Sequence, residues 1–76
     1  MKLVLVEWVD AFAHTAEWAP LSSIHNAKPV KCIACGILAE ETEDAITVYL
    51  SHNEHNYAQA LTIPRGCVKK MWKLKV

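Results

Sequence analysis

Glycine occurs only twice in this 76-residue chain, at Gly36 and Gly66. That scarcity excludes a glycine-rich phosphate loop, whose backbone amides need several glycines close together. No run approaches the ~20 consecutive apolar residues of a membrane-spanning helix. Met1–Val6 begins like a signal peptide, but Glu7 and Asp10 interrupt the apolar stretch before it can serve as a hydrophobic region. Three cysteines, an odd number, do not make a closed disulfide framework, so reduced thiols in a cytoplasm are expected. Net charge is lacking too, because eight basic residues balance eight acidic ones. No global field therefore draws the chain to nucleic acid or to a membrane. No motif calls for a cofactor.

What the sequence does hold is apolar: 53% hydrophobic residues against 21% charged, with three tryptophans. This balance is too rich in hydrophobics for disorder. The length fits a single domain over residues 1–76. A chain this short buries only about 60% of its unfolded surface. The surplus of apolar side chains therefore implies a dense core or a patch covered by a second copy, and a homo-oligomer is expected. Charge is segregated: Glu40, Glu41, Glu43 and Asp44 cluster in one place, while Arg65, Lys69, Lys70, Lys73 and Lys75 make the C-terminal segment basic. A solvated turn and a solvated edge strand account for both groups.

Periodicity is that of strands. Lys2–Asp10 is rich in Leu and Val and too short for a lone helix. Ala11–Asn26 reads as a long structured loop with a turn of helix starting at Leu21-Ser22-Ser23. A second apolar run, Val30–Ala39, is broken only by Gly36, and Glu40–Asp44 is a polar turn. Ala45–Ser51 alternates, with Ile46, Val48 and Leu50 on one face and Thr47, Tyr49 and Ser51 on the other. After the turn residues 52–56, Tyr57–Ile63 alternates again: Tyr57, Gln59, Leu61 and Ile63 against Ala58, Ala60 and Thr62. Pro64–Cys67 suits a short 3₁₀ turn. The last strand, Lys69–Val76, sets Trp72, Leu74 and Val76 against Lys69, Lys73 and Lys75, with Met71 on the lysine side. Trp8 and Trp72 are expected in the core. Five short antiparallel strands, a long first loop and a 3₁₀ turn before the last strand are the layout of an all-β, Src-homology-3-like barrel, with an Sm-like barrel as the nearest alternative.

Four segments taken together, Trp8-Val9-Asp10-Ala11, Trp18, Gly36-Ile37-Leu38-Ala39-Glu40 and Ile63-Pro64-Arg65-Gly66-Cys67-Val68, carry a resemblance that spans nearly the whole chain. The sequence resembles short bacteriophage and prophage proteins, with one departure at Cys35, where a small polar residue is expected. The resemblance implies a phage accessory protein in the cytoplasm of an infected bacterial host. Its role there would be counter-defence by sequestering a nucleotide-type signal, or blocking a host protein.

The residues themselves point to binding more than to catalysis. Trp18, Tyr49 and Tyr57 supply rings that stack on a nucleobase, and Arg65, Lys69 and Lys73 supply cations for phosphate. Weak nucleic-acid binding through the lysine-bearing last strand is a further alternative, against which the zero net charge counts. Cys32-Ile33-Ala34-Cys35-Gly36 has the form of a zinc knuckle, with Cys67, His52 or His55 as remaining ligands. It lies inside a strand-like run, however, where residues three apart face opposite sides, and structural cysteines are the expectation. His14 and His25, in the first loop, are uncommitted. A Cys67–His52–Asp10 set can be assembled on paper, but none of the sequence contexts of known nucleophiles surrounds it, and no enzyme is expected.

Overall fold

Apolar runs in β1 and β2 and alternation of apolar with polar residues in β3 build the strands of the computed structural model, which describes residues 1–11, 18–24 and 28–75. The strands are β1 (Leu3–Asp10), β2 (Val30–Glu41), β3 (Ala45–His52), β4 (Tyr57–Pro64) and β5 (Val68–Leu74). Two 3₁₀ turns, Leu21–Ser23 and Arg65–Cys67, lie in the first loop and before β5. All neighbours are antiparallel, and the sheet order is β4-β3-β2-β1-β5. This is the Src-homology-3-like layout: five antiparallel strands with a 3₁₀ turn ahead of the last.

β2 is long because it serves two neighbours. Residues 30–37 pair with β1, and residues 37–41 pair with β3. The changeover lies beside Gly36, where a Cβ would stand 2.8 Å from the Tyr49 carbonyl oxygen. Only glycine lets β3 come this close. β2 also runs through Glu40 and Glu41, which the sequence assigns to a turn. A register shift between Leu38 and Glu40 keeps the two glutamates in the ladder. The turn itself is reduced to residues 42–44, closed by the Thr42 hydroxyl, which accepts from the backbone N–H groups of Asp44 (3.2 Å) and Ala45 (3.1 Å).

The core comprises Val4, Val6, Ile46, Val48 and Ile63, with Trp8, Leu38, Cys67, Val68 and Met71 packed against it. Its composition follows from register. Val6 lies opposite Ala34 on β2 and Met71 on β5, so Met71 faces inward. Trp72 and Leu74 oppose Leu5 and Leu3 instead and stand 39% exposed, so the expected core position of Trp72 is corrected. Trp8, by contrast, does reach the core. Its ring Nε1 is buried with no partner among the described residues.

Gly36→Ala is expected to lower the unfolding free energy by roughly 1–3 kcal/mol, the usual cost of overfilling a packed site. Urea titration of both proteins measures it. An unchanged midpoint would mean that β2 and β3 do not approach as closely as this.

Candidate ligand-binding site

The hairpin of β3 and β4 carries a small aromatic cluster on the face turned away from the core. Thr47 and Tyr49 lie opposite Thr62 and Ala60, and the two threonine hydroxyls are 2.9 Å apart. Strict alternation would send Tyr57 to the Leu61–Ile63 side, as the sequence implies. Gln59 prevents this: its φ of 58° lies in the left-handed region, in the middle of β4. Beyond Gln59, Tyr57 swings onto the Tyr49 face. The Tyr49 and Tyr57 ring centroids are 6.3 Å apart at 53°, and His52 meets Tyr49 edge-on at 5.6 Å and 85°.

The connecting turn is fixed by Asn53, whose side-chain oxygen accepts from the backbone N–H groups of His55 and Asn56, each at 2.9 Å. The Asn53 N–H donates to the Asn56 carbonyl at 2.8 Å. Together the hairpin and the end of β2 enclose an open cleft of about 600 Å³, within the range of small-molecule sites. Tyr49, His52, Tyr57, Thr47 and Thr62 line it, with Glu40 and Glu54 at its margins. No lysine or arginine is among its lining residues. Tyr57 is 69% exposed, so the cluster presents ring surface to solvent rather than burying it.

Of the residues singled out from the sequence, the structure brings Tyr49 and Tyr57 together and separates the rest. Trp18 is 94% exposed in the first loop and does not line the cleft. Arg65 is occupied elsewhere: its Nε donates to the Thr42 carbonyl (2.9 Å), and its terminal nitrogen pairs with Glu41 at 3.1 Å. It ties the 3₁₀ turn to the β2–β3 turn. Lys69 and Lys73 are exposed on β5, at the opposite edge of the sheet from β4.

The zinc candidates are scattered likewise. Cys32 opposes Trp8 and Cys35 opposes Leu5, on opposite faces of β2, while Cys67 packs against the core. His52 and His55 belong to the hairpin end, and His55 lies 4.0 Å from Glu54 on the surface. Among the described residues no group of three or more metal-binding side chains is gathered. His14 and His25 lie outside the described residues. His52 enters the cleft as an aromatic ring and not as the metal ligand the sequence suggests, and Glu40 and the threonine pair carry no binding signal in the sequence. Alternation in the two strands does place each threonine on its strand's polar face, and the register sets Thr47 opposite Thr62.

No protein-family model, no curated protein and no solved structure matches this chain. Among the described residues no helix is long and apolar enough to cross a membrane.

The backbone at Gln59 generates a prediction of its own. Gln59→Gly is expected to stabilise the protein by about 1 kcal/mol, because glycine enters the left-handed region without steric penalty. Gln59→Val is expected to destabilise it. Thermal unfolding of the two variants checks the pair, and the opposite order would mean that β4 is regular through residue 59.

Proposed function

We propose that this chain is a non-enzymatic binding protein that recognises the base of a nucleotide-type ligand on the outer face of the β3–β4 hairpin. The observation that carries this reading is the cluster of half-buried Tyr49 with exposed His52 and Tyr57 along a cleft. Tyr49 stacks parallel on neither His52 nor Tyr57, so its ring leaves room for a planar guest. The Glu40 and Glu54 carboxylates accept hydrogen bonds from an exocyclic amine, and the threonine hydroxyls can donate or accept.

With no cation in the lining, one chain grips the base and leaves the phosphates to solvent. A ligand-sequestering role within a homo-oligomer suits so small a protein, in which each copy holds one guest. The resemblance to short bacteriophage proteins supports placing that role in the cytoplasm of an infected bacterium, as counter-defence.

A second reading, docking on a host protein, is favoured by the first loop. Trp18, Leu21 and Ile24 are 94%, 86% and 59% exposed, and a tryptophan with aliphatic neighbours is a common anchor at protein interfaces.

Calorimetric titration with adenosine, adenosine monophosphate and ADP-ribose tests the first reading. Binding is expected with adenosine retained as well as the phosphorylated ligands, and with little dependence on salt. Tyr49→Ala or Tyr57→Ala should each weaken it about ten-fold, as loss of one base–aromatic stack does. Absence of binding across the panel, with a stoichiometric host partner that Trp18→Ala abolishes, would favour the second reading instead.

A further inference from the structure

Pairing register divides β1 into two faces, and only one of them belongs to the core. Val4 and Val6 point inward. Leu3, Leu5 and Glu7 point outward, and each lies in a row across three strands: Leu74–Leu3–Ile37, Trp72–Leu5–Cys35 and Lys70–Glu7–Ile33. Two of these rows contain no polar residue apart from the Cys35 thiol. The third places opposite charges side by side at one end. Ile33 is 73% exposed, Trp72 and Leu74 are 39% exposed, and Cys35 is exposed. Nothing within the described residues covers this face, and the Lys70 ammonium lies 5.3 Å from the Trp72 ring centroid at its margin.

We infer that the outer face of β5-β1-β2 is the surface on which a second copy of this chain docks, sheet against sheet. Surface area argues for a second copy. The chain exposes 6380 Å², whereas a compact monomer of its 8.5 kDa mass exposes about 4,700 Å². The excess, about 1,700 Å², falls within what one protomer of an obligate homodimer buries. The hairpin end and the first loop account for part of it, since residues 50–62 and 18–24 are all exposed. The outer face of β5-β1-β2 contributes an apolar surface, and two copies of such a sheet face can pack on each other about a two-fold axis. The Lys70–Glu7 row supplies a rim that bears both charges. The aromatic cleft borders this face, since Ile37 lies opposite Tyr49, but its lining comes from β3, β4 and the end of β2 of one chain, so each copy carries a cleft of its own.

The inference takes from the proposed function only that the chain self-associates, and the experiment keeps the two apart. Sedimentation of the full chain is expected to give twice the monomer mass. Ile33→Lys and Leu74→Glu, both at exposed positions, should each raise the dimer dissociation constant by roughly 100-fold while leaving the far-ultraviolet circular dichroism unchanged. Leu50→Lys, on the hairpin, should leave the mass unchanged. Alkylation mapped by mass spectrometry gives a second readout: Cys35 is expected to be protected in the wild-type dimer and to react quickly in the Ile33→Lys variant. A monomeric wild type, a dimer broken by Leu50→Lys and not by Ile33→Lys, or an unprotected Cys35 in a dimer would each overturn the inference. Adenosine titration of the monomeric variants reads the cleft with no interface beside it, so failure of ligand binding is distinguished from failure of the interface.

Discussion

Pairing of β1 with β2 on one side and β5 on the other is the constraint on which the rest of the structure depends. Because a strand repeats every two residues, that register decides at once which side chains form the core and which remain outside. Val4 and Val6 draw Ala34 and Met71 inward. Leu3 and Leu5 are thereby committed to the outside, together with Trp72, Leu74 and Ile37. A one-residue slip would exchange the two sets and strand Lys70 against the core. Gly36 then lets β2 pass from β1 to β3 with the Tyr49 backbone pressed against it, which folds the second half of the sheet over the first.

On the outward side two kinds of surface adjoin, where Ile37 of β2 lies opposite Tyr49 of β3. On β3 and β4 the outward face is a mixture of threonines and aromatic rings around a cleft, suited to holding a small planar molecule. On β5, β1 and β2 the outward face is largely apolar, suited to a second sheet. The core between them is small, with only five side chains fully enclosed among the described residues. A barrel with so thin a core gains from any association that removes apolar surface from water.

Much of the fold was legible because β propensity, alternation and turn chemistry agree along the chain. Ala45–Ser51 is the clearest case: its two faces in the sequence are the core side and the cleft side of β3. Pro64, which cannot donate to a ladder, marked the 3₁₀ turn in the same way. What could not be read was the assignment of faces where both are apolar. In the last strand, Met71 and Trp72 compete for the interior, and only the partner strand decides between them. Tyr57 was legible as a binding aromatic but not as a neighbour of Tyr49, because glutamine at position 59 gives no sign of a left-handed backbone. Arg65 shows the reverse limit. Its charge suggested a phosphate ligand, yet Glu41 and the Thr42 carbonyl already occupy it.

The central claim is that recognition resides on the outer face of the β3–β4 hairpin. Its most direct test is a nuclear magnetic resonance titration of the isotope-labelled chain with adenosine. The account predicts that shift changes concentrate at Tyr49, His52, Tyr57 and Thr62 and leave Trp18, Lys69 and Lys73 unmoved. Changes centred on Trp18 or on the lysines of β5, with the hairpin silent, would contradict it.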